Sequence, residues 1–226
     1  MLLKIPDVLP PGKLARCRKL LASAPWIDGR ATAGHQSARV KDNLQLPHEC
    51  DEARDAGAIV LSALERNVLF IAAALPRFVF PPLFNRYEQG MSFGAHVDNA
   101  VRAVPESGRR IRTDLSATLF LSAPEDYDGG ELVIEDTFGA QNVKLQAGDM
   151  VLYAATSLHR VEPVTRGVRL ASFFWVQSMV KDDHERRLLF ELDRAAVLLG
   201  AERADHPLLP QLTAIYHNLV RKWGEV

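Results

Sequence analysis

Residues 129–161 read GGELVIEDTFGAQNVKLQAGDMVLYAATSLHRV. Short apolar runs recur through this stretch, at Glu131–Glu135, Gln141–Leu145, Met150–Tyr153 and Leu158–Val161. Turn-forming residues separate them: Asp128-Gly129-Gly130, Phe138-Gly139 and Ala147-Gly148-Asp149. Runs this short are strands rather than helices. Glycine supplies the positive φ that tight turns need and β-branched residues resist. Such spacing predicts a β-sandwich or barrel rather than βαβ units.

Working outward, the same pattern extends to candidate strands Phe78–Tyr87, Leu115–Ser122 and Val168–Val176, the last following an Arg166-Gly167 turn. Val168–Val176 is apolar at both parities, so it is expected to be covered on both faces. Upstream, Leu14, Cys17, Leu20 and Leu21 mark one helix after Pro10-Pro11-Gly12. Ile59, Val60, Ala63, Leu64 and Val68 mark a second over Glu52–Ala73. Gly29–Ala38 reads as a loop or short hairpin. Downstream, Asp182 or Asp183 can cap a helix carrying Leu188, Leu192, Ala195 and Leu199, with Gly200 as its stop. Leu208, Leu212, Ile215 and Leu219 define a last helix. These two form either a separate helical cap or a contact between copies of the chain, a homo-oligomer. The insert Asn99–Thr113, with Arg102, Arg109, Arg110 and Arg112, is expected to be a mobile loop that covers the substrate. Its basic cluster suits either an anionic substrate or plain solvation.

Composition narrows the class. With 226 residues and 47% hydrophobic content, there is material for one sizeable core. A formal net charge of −1 offers no global field for nucleic acid or an anionic membrane. Cys17 and Cys50 make neither a disulfide framework nor a CxxC zinc site. The N-terminus lacks a signal-peptide h-region, and the apolar runs are shorter than a membrane span. A soluble, cytoplasmic protein is expected, with no nucleic-acid and no membrane partner.

The chemistry gathers around His96 and Asp98. Residues two apart on a strand share a face, so imidazole and carboxylate can reach one ion. His159 supplies a second imidazole from a distant strand. Two histidines and one carboxylate on one face of an octahedral ion leave positions for O₂ and a bidentate co-substrate, the arrangement of non-haem Fe(II) oxygenases. A lone His-x-Asp recurs by chance, and a lone histidine on an apolar strand is more often packed than ligating. Arg169 adds weight. No acid lies in its strand, and a buried guanidinium is costly unless paired. A carboxylate ligand would relieve it through a two-point pairing, unless the side chain reaches solvent or an acid elsewhere. Tyr87 could offer its hydroxyl to the same carboxylate or serve as a core aromatic. Asn85 shares its parity.

Taken in order, Tyr87-x-x-Gly90, His96-x-Asp98, Gly129-Gly130-Glu131-Leu132, Ala147-Gly148-Asp149, His159-x-Val161 and Arg169 resemble the prolyl 4-hydroxylase-type Fe(II)/2-oxoglutarate dioxygenases. Within these, nearly the whole chain is similar to the bacterial PKHD-type hydroxylases of the PiuC/YbiX group. The resemblance implies an α+β fold. Its core is a double-stranded β-helix (jelly roll), with flanking N-terminal helices in residues 1–177 and a C-terminal helical extension in 178–226. It implies catalytic iron, Fe(II), on His96, Asp98 and His159, and the distal carboxylate of 2-oxoglutarate on Arg169. L-ascorbate is implied as reductant, with hydroxylation of a small-molecule or peptidyl substrate by O₂ and release of succinate and CO₂. The rival readings are a non-enzymatic cupin-like metal or small-molecule sensor, a zinc hydrolase, against which the missing HExxH speaks, and an interaction protein using its tail helices.

Overall fold

The computed structural model describes residues 1–32, 37–105, 107–136 and 139–225. Its centre is the strand Arg169–Ser178, paired antiparallel with Leu115–Phe120 on one side and with Leu83–Tyr87 and Pro76–Val79 on the other. Met150–Ala154 and Leu2–Ile5 extend this major sheet beyond Leu115–Phe120, and Leu44–Gln45 and Ile27–Asp28 extend it beyond Leu83–Tyr87. A minor sheet runs Gly139–Val143, Leu132–Asp136, His159–Val161, Ser92–His96, Lys41–Asp42. The two sheets face each other as the expected double-stranded β-helix.

The pleat sorts the side chains. On the major sheet Leu115, Ala117, Leu119, Met150, Leu152, Phe174 and Val176 point outward. There they meet Cys17 and Leu21 of the helix Pro11–Ala22, Val60 and Leu64 of the helix Asp51–Leu64, and Phe70 of Val68–Ala74. The alternate residues Phe120, Val151 and Tyr153 point inward, against Leu132, Ile134, Val143 and Val161 of the minor sheet. Arg169–Ser178 is therefore buried on both sides, as its double apolar parity predicts.

Several boundaries differ from the sequence reading. Phe78–Tyr87 is two strands, because Pro81 and Pro82 between them have no N–H to give to a ladder. Glu52–Ala73 is likewise two helices meeting at 85°. Asn67 caps the second, its side chain accepting from Phe70 N–H at 2.8 Å. The short strands at Leu2–Ile5, Ile27–Asp28, Lys41–Asp42 and Leu44–Gln45 lie in a region that reads as mostly helical. Residues 33–36 of the stretch Gly29–Ala38, and Phe138 of the Phe138-Gly139 turn, lie outside the described residues; Gly29–Thr32 and Ser37–Arg39 are single helical turns. Gly129 and Gly148 do stand at positive φ, 70° and 100°, at the expected turns. Asn99–Thr113 is not an irregular loop but carries the hairpin Val101–Ala103/Arg110–Arg112, held to the body by buried Val104 and Ile111.

Asp182 does cap the first tail helix, accepting from His184 and Glu185 N–H at 2.8 and 2.9 Å. That helix runs Asp183–Glu202 straight through Gly200, since one glycine costs only about 1 kcal/mol and leaves room for Leu209 of the next helix. The buried face is rotated from the expected stripe: Leu189, Tyr216, Leu219, Val220 and Trp223 pack with Leu75 and Val180, whereas Leu188, Leu208 and Ile215 are exposed. No single described helix is long and apolar enough to cross a membrane.

Leu119 is fully buried between sheet and helices. Leu119→Ala should cost about 2–5 kcal/mol, read as a lower urea midpoint with an unchanged m-value.

Candidate metal and oxo-acid site

His96 closes the strand Ser92–His96, and His159 opens its antiparallel neighbour, with the two as direct Cα partners. Their ring centroids are 4.3 Å apart. Asp98 lies just past the paired segment, where the alternation of the strand continues. One ligand atom from each of His96, Asp98 and His159 falls within 4.8 Å of the others. His159 Nε2 stands 3.8 Å from Asp98 Oδ2.

The orientation of the rings follows from elementary hydrogen bonding. His96 Nδ1 lies 2.8 Å from the Gly94 carbonyl, and His159 Nδ1 lies 3.0 Å from the Ser157 carbonyl. A carbonyl only accepts, so each Nδ1 carries the proton and each Nε2 lone pair is free for a cation. Phe93 stacks on His96 at 3.7 Å and limits its rotation. Burial, then the neighbouring His159, pushes the His96 pKa down to about 4, which keeps that ring neutral. Ser116, on the inner face of the major sheet, donates to Asp98 Oδ2 at 2.6 Å. That bond fixes the carboxylate, whose Oδ2 faces His159 Nε2. Two imidazoles with their Nε2 atoms turned to a common point and one anchored carboxylate suit a divalent first-row metal with open positions.

Arg169 is buried to 1% exposure, directly across the ladder from Tyr87. Its Cζ is 5.3 Å from the Tyr87 ring and 5.3 Å from the Phe120 ring. Its Nε and Nη1 have no hydrogen-bond partner. The side chain does not reach solvent and, among the described residues, forms no ion pair with an acid, which leaves the carboxylate ligand of the three options open for it. A buried cation with N–H groups aimed into a pocket fits the carboxylate of an oxo acid. Gly130 makes room for it: a Cβ there would sit 3.1 Å from Arg169 Cδ. Burial raises the Tyr87 hydroxyl pKa against the opposing pull of Arg169, so the group stays a donor.

One pocket joins these parts. Tyr87, His96, Asp98, His159 and Arg169 all line it, as does Asn85. The sequence reading missed Lys41, Ser116, Thr118, Tyr153 and Trp175, and it left Arg102 undifferentiated within its loop. A signal existed for Ser116 and Thr118, polar residues alternating with Leu115, Ala117 and Leu119 on an otherwise apolar strand. Lys41 carries no such pattern.

Comparison with known proteins agrees with this geometry. Residues 82–177 match the 2OG-Fe(II) oxygenase superfamily, and residues 183–225 match the PKHD-type hydroxylase C-terminal domain. A PKHD-type hydroxylase of Xanthomonas campestris pv. campestris (strain B100) is 60% identical over 228 residues, covering 100% of both chains. Among solved structures, a Pseudomonas putida prolyl-4-hydroxylase aligns with a TM-score of 0.53 at 19% identity, covering 78% of this chain and 92% of that one. A Trichoplax adhaerens prolyl hydroxylase, solved with a hypoxia inducible factor oxygen degradation domain peptide fragment, gives 0.59 at 14% identity, covering 83% and 86%. These distant likenesses speak for the jelly-roll fold, and full-length identity to the first relative speaks for more: the chain belongs to the PKHD-type hydroxylases, Fe(II)- and 2-oxoglutarate-dependent dioxygenases of the 2OG-Fe(II) oxygenase superfamily.

Proposed function

We propose that His96, Asp98 and His159 hold the iron of this dioxygenase, and that Arg169 and Tyr87 bind the distal carboxylate of 2-oxoglutarate. The observation that carries the assignment is the buried Arg169 guanidinium, with Nε and Nη1 lacking a hydrogen-bond partner, lining the same pocket as the three clustered ligands. A pure metal sensor has no use for a buried anion site. Bound Fe(II), with 2-oxoglutarate and O₂, supplies oxidative decarboxylation to succinate and CO₂ coupled to hydroxylation of a substrate C–H bond. The protein's share is placement. The Nδ1–H bonds to Gly94 and Ser157 fix the imidazoles, Ser116 fixes Asp98, and Arg169 sets how deep the oxo acid sits. Leu132, Val161 and Phe173 give the pocket an apolar wall beside these polar groups.

Ascorbate serves as the reductant after uncoupled turnover, by resemblance to the family. Residues 1–177 form the oxygenase unit and 178–226 an extension docked on it. Exposed Val197, Leu198, Leu208 and Ile215 suit the extension to a contact between copies. A cytoplasmic location without nucleic-acid or membrane partners is proposed from the near-neutral net charge.

Anaerobic protein with Fe(II) and 2-oxoglutarate should develop a weak visible charge-transfer band. Arg169→Ala should weaken 2-oxoglutarate in that titration by roughly 30- to 1000-fold (about 2–4 kcal/mol), with metal affinity nearly intact. Equal loss of both would make Arg169 a purely structural residue. Ser116→Ala frees Asp98 to rotate and should lower metal affinity by about 10- to 100-fold, with the thermal midpoint of the metal-free protein little changed.

A pH test follows from His96. Its pKa is about 4 in the fold and 6.5 as the ordinary value, so the unfolded chain takes up the proton first as pH falls. This stabilising contribution is complete above the ordinary value and disappears as pH drops towards about 4. Metal-free wild type should therefore lose more urea resistance across that window than His96→Gln. Parallel losses in the two proteins would refute the assignment.

A further inference from the structure

The pocket carries positive charge that neither the metal cluster nor Arg169 accounts for. The arginines of the Asn99–Thr113 stretch go to different places. Arg112 is neutralised, donating to Asp114 at 2.6 and 3.2 Å and to Glu225 at 3.1 Å. Arg109 lies over Phe78 at 4.6 Å and Arg110 is exposed; neither lines the pocket. Arg102 turns inward instead. Its Cζ sits 3.9 Å above the Trp175 ring and 5.6 Å from that of Phe80. Among the described residues no carboxylate lies within ion-pair distance of Arg102 and no group accepts a hydrogen bond from it. The one negative charge acting on it is Asp98, which the metal would claim.

A merely structural role does not explain this position. Val104 and Ile111 already bury the hairpin against Phe80, Leu83 and Trp175. Thr113 ties its base, donating from Oγ1 to the Asn99 carbonyl at 2.6 Å and from N–H to the Ala100 carbonyl at 3.0 Å. An apolar residue would serve the packing without the desolvation of a cation. A second cation lines the same pocket: Lys41 is buried, donates to Gln45 Oε1 at 2.7 Å and lies 5.5 Å from the centre of the Phe93 ring. Burial, and then repulsion from Arg102, hold the Lys41 pKa down to about 8, the mark of two like charges facing one space.

We infer that the molecule hydroxylated by this enzyme carries a carboxylate, and that Arg102 is the specificity residue that binds it. Trp175 covers one face of the guanidinium, so its N–H edge is what remains for a ligand. A planar carboxylate meets that edge in a two-point pairing. Phe173 and Leu83 would receive an apolar body beside it. Such a pairing fixes the substrate's orientation towards the metal, and hence which C–H bond is presented. The inference rests on the oxygenase reading of the site, in which Arg169 is already taken by 2-oxoglutarate.

The test uses Mn(II), which does not turn over, with saturating 2-oxoglutarate on the full chain. Benzoate and its neutral counterpart benzamide serve as probes, and paramagnetic relaxation of their protons reports residence near the metal. Wild type should relax benzoate at about tenfold lower concentration than benzamide. Arg102→Gln should erase that preference, Arg102→Lys should retain part of it, and Arg109→Gln, on the same hairpin outside the pocket, should leave it unchanged. Equal relaxation of the two probes by wild type, or a preference that survives in Arg102→Gln, overturns the inference. If water-proton relaxation shows that Mn(II) and 2-oxoglutarate form no complex with wild type, the oxygenase reading itself fails and takes this inference with it. A complex that forms without benzoate preference sinks the role of Arg102 alone.

Discussion

The strand Arg169–Ser178 is covered on both faces, and the rest of the molecule is arranged around that constraint. Its outward residues Phe174 and Val176 belong to the sheet–helix core. Its inward residues Arg169, Phe173 and Trp175 line the pocket. Because the strand is central, the Arg169 guanidinium is held inside the fold, where it faces the pocket. A cation in that position is a standing cost to stability that only a ligand's negative charge removes. The same pleat on the neighbouring strand sends Leu115, Ala117 and Leu119 into the helices and Ser116 and Thr118 into the site. Core packing and site construction are thus two faces of one sheet.

The metal ligands depend on a second, smaller device. Both histidines donate Nδ1–H to the carbonyl two residues before them, so local backbone sets the tautomer and aims Nε2 at a common point. Asp98 is held differently, by Ser116 across the gap between the sheets. The closure of the jelly roll therefore completes the ligand set: His96 and His159 are neighbours within the minor sheet, and the carboxylate is set only when the major sheet meets it. The hairpin after Asp98 continues this logic. Its apolar residues pin it to the Phe80–Trp175 wall, and its first strand delivers Arg102 to the pocket lining.

Much of this was legible from residues alone. The spacing of His96 and Asp98, the distant His159 and the acid-free strand around Arg169 named the site, because each follows from a period of two or from the cost of burying a charge. Turns at Gly129 and Gly148 were legible because they require positive φ. What was not legible has common physical causes. The break at Asn67 and the split at Pro81-Pro82 interrupt apolar patterns that continue on either side, so periodicity runs through them. The short strands near the N-terminus consist of two to four residues, too few to show any period. The rotated face of the tail helices depends on which side Leu75 and Val180 present.

The chain by itself determined the class of fold and the chemistry of the site, since alternation, turn residues and ligand types are local properties. The tertiary structure alone decided the partners. Ser116 meets Asp98 across 18 residues, and Arg102 reaches Trp175 while Arg112 turns to Asp114 and Glu225. Four arginines close together in sequence are chemically alike. Only the packing of the hairpin against the sheet makes one of them an anion site, one an ion pair, one an aromatic stack and one a solvated side chain.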